Sequence, residues 1–518
     1  MAPFTDFFDL VTQPCMVEHP ESGNATRVLA GRHAVVIGGG ISGLAAALVL
    51  RVRGARVTIL ERDPEPAVAS ASEAFATWDR KGAVQVRHSH AFLGRLRILL
   101  RERYPDLLEA LLAAGARELK MMEHPPRTLR GLRAEPGDEQ LVALGCRRTT
   151  FEWVTRRFVH AHGDVAVVPN ATVRALKVVE GAPAPRVTGV RYVVDANEGG
   201  MDADFVVDAS GRTSGAVKWL AAIGARPPYE EVEQSGIVYY TRFYRLLPGA
   251  SEPPPSEHPT AADFNWVKYA VFPADDRTFS ITLATPLAFP RLKVLAKVGA
   301  FDAMVHAIPA LRPLVDASVS EPIGDPAHPV QAMGGLINRL RRFVDAEGPV
   351  AVGFFVLGDA AYCTNPLYGR GCAQGFLHAE FLGRALDEHP RDLAAAAVAL
   401  DRQARAELEP FYRASVIADR DAVRKAEGRR PRRLKARLQT KFFEDGVGPA
   451  TRCDPVVFRA FIRMMNMLET PEQAFGHLDV FLRSLWVLLR GKRYNRRYAL
   501  PAPPDRDATI ARVEAAAV

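Results

Sequence analysis

His33-Ala-Val-Val-Ile37-Gly38-Gly39-Gly40-Ile41-Ser42-Gly43-Leu44 decides the fold of this chain. Residues 33–37 form a short apolar run, the pattern of a strand buried on both faces. A glycine turn follows, then an alanine-rich helical stretch from Leu44 to Arg53 and a second strand, Arg56-Val-Thr-Ile-Leu-Glu61. This order makes a βαβ unit. Gly38, Gly40 and Gly43 fit G-x-G-x-x-G, where the first glycine permits the tight turn, the second lets a pyrophosphate approach the backbone and the third lets helix and strand pack closely. The N–H groups and partial positive charge at the start of the helix suit phosphates. Glu61 lies 23 residues after Gly38, at the end of the second strand, where a carboxylate accepts hydrogen bonds from ribose hydroxyls. The motif alone does not separate NAD from FAD.

Moving outward, helical periodicity is present around residues 91–101 and 149–160. Strand-like runs follow at 171–179, 187–194 and 204–209. A second group of such runs, 236–246, 266–272 and 279–285, predicts an antiparallel sheet with one face covered. Residues 251–259 read as a proline-rich surface loop. A further buried strand at 354–357 leads into Gly358-Asp359 and, from about Gly371, a helix; beyond Leu382 the chain is mostly helical.

The segment Phe354-Phe-Val-Leu-Gly358-Asp359-Ala-Ala-Tyr-Cys-Thr-Asn-Pro366-Leu-Tyr368-Gly369-Arg370-Gly371 repeats the strand, turn and helix order. With it the sequence resembles the FAD-dependent aromatic hydroxylase and epoxidase superfamily, whose members carry G-D, then a proline, then G-x-G opening a helix. The resemblance implies that Asp359, after Gly358, binds the ribityl chain and that Pro366, Gly369, Arg370 and Gly371 form the loop against the isoalloxazine. Arg80-Lys-Gly82-Ala-Val-Gln85-Val-Arg87-His88-Ser-His90 is similar to the family's Arg-x-Gly…Gln segment, which implies cofactor contacts for Arg80 and Gln85. Arg148-Thr-Thr-Phe-Glu-Trp-Val-Thr-Arg156 resembles the helix whose leading arginine also reaches the cofactor. Asp204-Phe-Val-Val-Asp208-Ala-Ser-Gly211-Arg212 resembles the strand and turn before the substrate domain. Asp208, Ser42 and Arg62 join the implied cofactor contacts. The likeness spans residues 33–390 and is nearest to bacterial flavin epoxidases of polyketide polyenes.

The expected architecture is α/β: a discontinuous, Rossmann-like FAD-binding domain of the glutathione-reductase type (32–85, 145–215 and 350–390), an antiparallel-sheet substrate domain (86–144 and 216–349), an N-terminal arm (1–31) and a helical C-terminal region (391–518). The implied activity is insertion of one oxygen atom from O2, by epoxidation or hydroxylation, into a bulky apolar substrate of secondary metabolism. NAD(P)H is the expected electron source, directly or through a separate flavin reductase. The turn Asp208-Ala-Ser-Gly211 differs from the Asp-Gly turn of simple hydroxylases, which weakens direct NADPH use. The halogenase signature Trp-x-Trp-x-Ile-Pro is missing, since Trp153 and Trp266 stand apart. Alternatives are an O2-independent reductase or dehydrogenase of prenyl or polyene chains, a halogenase-like enzyme and, outside catalysis, a prenyl-binding escort protein.

Flavin chemistry asks little acid–base help of the protein, and no catalytic triad or metal cluster is expected. His88 and His90, with Tyr368 and Arg370 in the flavin loop, are the candidate catalytic or substrate-orienting groups; a packing role competes for each. The strand from Ile237 to Tyr244, with Ala270 and Phe272, is either the apolar roof of a pocket over the flavin or plain sheet core.

Composition bounds the rest. The 518 residues, 48% hydrophobic with 39 Gly and 38 Pro, suffice for two or three packed domains. Five scattered cysteines lack metal-ligand spacing and favour a reduced, cytoplasmic setting. The N-terminus carries acids where a secretory signal needs a basic start, and no run of 18 apolar residues is present. The net charge of +8 is local: residues 401–518 hold 24 bases against 15 acids, leaving 43 against 44 in the first 400. Within the tail, residues 424–437 set eight bases against one acid and 481–490 are amphipathic, so peripheral membrane contact competes with a solvated face. No recognised nucleic-acid fold accompanies the basic patch.

Overall fold

A computed structural model describes residues 27–179, 184–250, 259–499 and 502–517. Most of the expected N-terminal arm and nearly all of the 251–259 loop lie outside the described residues; Leu29 at the arm's end is buried in the main core.

Five short strands form a parallel sheet in the order Phe354–Val356, Phe205–Asp208, His33–Ile37, Arg56–Leu60, Val165–Val168. The register brings Ile37, Leu60 and Asp208 level at their C-terminal ends, with Val356 opposite Asp208. The Gly38 turn, Glu61 and the Gly358 turn therefore gather along one edge, the position where open α/β sheets bind ligands. Helices Ile41–Val52, Arg148–His160 and Gly371–Glu388 pack together beside this sheet. The antiparallel ribbon Ala171–Val179, Arg186–Val194, Asn197–Asp202 adjoins it. Leu96, Leu100, Leu107 and Leu111, from a stretch that the sequence groups with the substrate domain, belong to this same core.

A six-stranded antiparallel sheet forms the second unit, running Ala261–Asp263, Lys268–Pro273, Thr278–Pro286, Ile237–Leu246, Ser320–Ile323, with Gln331–Met333 also paired to Ile237–Leu246. The expectation of one covered face needs correcting, because all nine residues of Thr278–Pro286 are buried. One face, with Tyr240, Tyr244 and Ile281, packs on helix Val298–Ala307 and on the C-terminal helix Arg506–Ala515. The other, with Tyr239, Thr241, Ser280 and Thr282, faces the nucleotide-binding unit and the segment carrying His88. Two-residue alternation separates the two sets. Strands Tyr229–Gln234, Ile337–Arg342 and Tyr362–Cys363 form a third sheet.

Cys146, Cys363, Cys372 and Cys453 are free. Burial raises the Cys363 thiol to about 12 and the Cys372 thiol to about 11, which fits packing residues better than reactive thiols.

Candidate functional site

The three motif glycines each meet a distinct constraint. Gly38 has φ +97°, and a Cβ there would lie 2.8 Å from the Ala209 carbonyl. A Cβ on Gly43 would stand 1.8 Å from the Gly38 carbonyl, so helix and strand approach as closely as their backbones allow. At Gly40 the nearest atom to such a Cβ is Arg80 Nη2 at 3.9 Å. Gly40 therefore borders open space faced by a cation, which is the arrangement a pyrophosphate needs.

Glu61 closes the turn: its Oε2 accepts from Gly39 N at 2.8 Å and its Oε1 from Asp63 N at 2.9 Å. Arg80 is buried among carboxylates, 2.6 Å from Glu152, 2.9 Å from Asp63 and 3.2 Å from Glu61. Burial disfavours its charge, but Glu152, Glu61 and Asp63 outweigh that and raise its pKa above the ordinary arginine value. Glu152, fully buried on helix Arg148–His160, also pairs with Arg148 at 2.6 Å. Burial acts to raise the Glu152 carboxyl, yet Arg80, Arg148 and Arg156 together hold it below the usual range. Arg156 donates to the Gly39 carbonyl at 3.3 Å and pairs with Glu65. Glu152, Arg156 and Asp63 did not stand out in the sequence, although Glu152 and Arg156 fall one helical turn apart on the face that begins at Arg148.

The second motif meets the first at Ser42. Cβ atoms built on Gly358 and Gly375 would lie 2.2 and 2.5 Å from Ser42 Oγ, so two glycines more than 300 residues downstream make room for this one serine. Gly358 N donates to His378 Nδ1 at 3.3 Å. Half-buried Asp359 places its carboxyl at the mouth of helix Gly371–Glu388, with Oδ1 3.7 Å from where a Gly371 Cβ would stand. Burial raises this carboxyl above its ordinary value, opposed by Arg212, Arg148 and Arg339. Its oxygens have no hydrogen-bond partner among the described residues.

Pro366–Tyr368 is a single turn of 3₁₀ helix ended by Gly369 at φ +64°, and a Gly369 Cβ would lie 3.6 Å from the Ala91 carbonyl. The loop thus sits against the His88–Ala91 segment. Tyr368 and Arg370 turn away from it into helix Glu409–Ala426. The Tyr368 hydroxyl donates to Asp419 at 2.8 Å, and Arg370 Nη1 donates to the Phe411 carbonyl and Ser415 Oγ, both at 2.8 Å. Asp208 likewise spends its carboxylate locally, accepting from Ser210 N at 2.9 Å and from the Ser210 and Ser214 hydroxyls at 2.5 Å. Arg62 is exposed and reaches Thr213 at 3.4 Å; half-buried Gln85 lies in the 3₁₀ stretch Lys81–Arg87.

His88 Nδ1 lies 2.9 Å from Thr241 Oγ1, and burial lowers its pKa to about 4. His90 Nδ1 lies 3.0 Å from the His88 carbonyl, an acceptor, so Nδ1 carries the proton and Nε2 presents a lone pair. Burial, with the Arg148 charge, lowers His90 to about 3. Above the loop, Leu367 packs on Ile237, Tyr239, Ala284, Met333 and Leu336. An open cleft of about 440 Å³ lined by Phe264, Trp266, Phe289, Lys425 and Arg506 shares none of these residues.

This constellation fits a dinucleotide whose pyrophosphate faces Gly40 and Arg80. Arg148 Nε, Thr149 Oγ1 and both side-chain polar atoms of Gln374 are buried without hydrogen-bond partners among the described residues, and such groups call for a polar ligand. Arg148, Asp359, Gly371 and Gln374 would hold its flavin half, the last two from the N-terminal turn of one helix. Among the described residues no His, Cys, Asp and Glu cluster suits a metal ion.

Residues 36–101 match the model of an NAD(P)-binding Rossmann-like domain. Protein Rv3254 of Mycobacterium tuberculosis (strain ATCC 25618 / H37Rv) is 28% identical over 471 residues, covering 85% of this chain and 90% of that protein. The anhydrotetracycline hydroxylase OxyS from Streptomyces rimosus superimposes with a TM-score of 0.54 at 17% identity, covering 85% of this chain and 76% of OxyS. The myxobacterial chondrochloren halogenase CndH, a variant FAD-dependent halogenase, gives a TM-score of 0.56 at 18% identity over 88% of this chain and 97% of CndH. This chain therefore shares its overall fold with OxyS and CndH.

Proposed function

We propose that the chain is an FAD-dependent monooxygenase that inserts one oxygen atom from O2, by epoxidation or hydroxylation, into a bulky apolar substrate. The observation that carries this reading is the meeting of two distant motifs at Ser42, Gly358 and Gly375, with the open Asp359 carboxyl and the unpartnered Gln374 amide beside it. Flavin, when bound, supplies the activation of oxygen. The chain's own work is to bind, orient and exclude water. Leu367 with Ile237, Tyr239 and Met333 makes the apolar boundary on the substrate side, and His90 Nε2, unprotonated at neutral pH, is available as a hydrogen-bond acceptor. Nothing in this arrangement requires a nucleophile and base pair.

Reducing equivalents come from NAD(P)H, and we favour delivery through a separate flavin reductase, because Asp208 is committed to Ser210 and Ser214. The test is turnover of purified protein with FAD, a flavin reductase and a panel of polyene and polycyclic substrates under labelled O2. Label in the product supports the reading. Turnover without oxygen replaces it by a prenyl or polyene reductase, halide-dependent product replaces it by a halogenase, and a colourless protein that takes up no FAD points to a binding protein.

A further inference from the structure

The C-terminal region contains a helix that is apolar on two opposite sides. Along Leu478–Asn495, Val480, Ser484 and Val487 are buried in a small local core. Leu478, Phe481, Leu482, Trp486 and Leu489 occupy the other side and are exposed; Leu489 is 69% and Trp486 63% accessible. A helix face carrying five large apolar side chains has no reason to remain in water. Helix Leu434–Lys441, which runs directly into the segment Phe442–Val447 packed on this helix, buries none of its residues and exposes Leu434 and Leu438. Phe442 joins the two, its ring 5.3 Å from that of Phe481.

Charge says what covers this surface. Residues 429–441 hold seven bases and no acid. Arg429 pairs with Glu427, and the other six are exposed and meet no acid at ion-pair distance among the described residues. Arg490 and Arg497 stand over the Tyr494 ring, just past the break at Gly491 in the longer helix. No described helix is long and apolar enough to cross a membrane. Exposed Leu, Phe and Trp flanked by unpaired Arg and Lys is the chemistry of a segment lying in an anionic lipid surface. A second copy fits worse, since an isologous contact brings the same cations face to face.

We infer that the Leu434–Lys441 and Leu478–Asn495 helices dock the enzyme on an anionic bilayer, with Leu482, Trp486 and Leu489 inserted at the headgroup boundary. The inference rests on this surface alone and holds whatever the flavin site catalyses.

Flotation of the full-length protein with phosphatidylcholine vesicles, with and without about 30 mole per cent phosphatidylglycerol, tests it. The protein should float with the anionic vesicles, and raised salt should release it. Leu482→Ser with Trp486→Ser, and separately Arg430→Glu with Arg432→Glu and Arg433→Glu, should each weaken partitioning by roughly tenfold or more. These side chains are exposed, so both variants should keep the parent's melting curve. The inference is overturned if neither vesicle binds, or if the charge variant floats like the parent. It is also overturned if the apolar variant instead abolishes a concentration-dependent dimer, which would assign the patch to a second copy.

Discussion

Asp419 accepts the Tyr368 hydroxyl at 2.8 Å, and the same carboxylate takes Asn365 Nδ2 at 2.8 Å and Asn338 Nδ2 at 2.7 Å. A helix beyond the nucleotide-binding unit thereby holds the Asn365–Gly369 loop in place, with Arg370 adding two bonds to Phe411 and Ser415. Asp419→Ala strands three donors and should cost about 3 kcal/mol or more. Tyr368→Phe loses one bond and should cost about 1 kcal/mol. Denaturant unfolding with flavin release followed in parallel checks both; equal, negligible losses would remove the loop-holding role from Asp419.

Gly40 and Gly43 stand three residues apart yet should respond oppositely to alanine. A Cβ at Gly43 collides with the Gly38 carbonyl, whereas at Gly40 it meets nothing nearer than Arg80 Nη2. Gly43→Ala should therefore give little folded protein. Gly40→Ala should melt like the parent but retain FAD at least tenfold less well, because its methyl occupies the space the pyrophosphate needs. A Gly40→Ala protein that keeps stoichiometric FAD through gel filtration sinks the placement of the pyrophosphate.

The Gly38–Gly43 turn was legible in the sequence because its determinants are local: backbone conformation, strand period and the spacing to Glu61 are all set within one βαβ unit. The partners of Tyr368 and Arg370 were not legible, since Tyr368 reaches Asp419 and Arg370 reaches Phe411, some forty to fifty residues downstream, and nothing in the helical pattern of that segment marks a buried aspartate as a ligand of a loop. Glu152 illustrates a middle case. Its helix was readable, but its burial between Arg80 and Arg148 depends on two segments meeting in space. The strand Ile237–Leu246 shows how period-2 alternation resolves two competing readings: Tyr239 goes to the loop side and Tyr240 and Tyr244 to the sheet core.

Three histidines set an acid limit on the fold. His88 is lowered to about 4, and His90 and His378 to about 3, each chiefly by burial. Their folded pKa values lie below the unfolded value near 6.5, so the unfolded chain binds more protons between those limits. Stability is then fully present above about pH 6.5 and falls as pH drops toward 4, by roughly 1.4 kcal/mol per unit for each group. Urea unfolding from pH 7.5 to 4.5 should show this slope, and His378→Gln should reduce it by about one proton. A slope that His378→Gln leaves unchanged rules out His378 as one of its sources.

Asp208 and Asp359 both carry the expectation of a cofactor contact, and the structure gives them unlike surroundings. Asp208 is fully buried, with its oxygens taken by Ser210 and Ser214. Asp359 leaves its oxygens open at the mouth of helix Gly371–Glu388, within the influence of Arg148, Arg212 and Arg339. Asp359→Ala should fold normally and lose charge-assisted bonds of about 1.5–3 kcal/mol each, weakening FAD retention roughly tenfold to a hundredfold. Asp208→Ala should instead lower unfolding free energy by about 2–4 kcal/mol through its stranded serine donors, with flavin affinity little changed in the fraction that folds. Equilibrium dialysis of FAD and denaturant melts on the two variants separate these outcomes. If the two effects come out exchanged, the ribityl role belongs to Asp208, and the flavin half of the site shifts toward the Ser210–Ser214 turn.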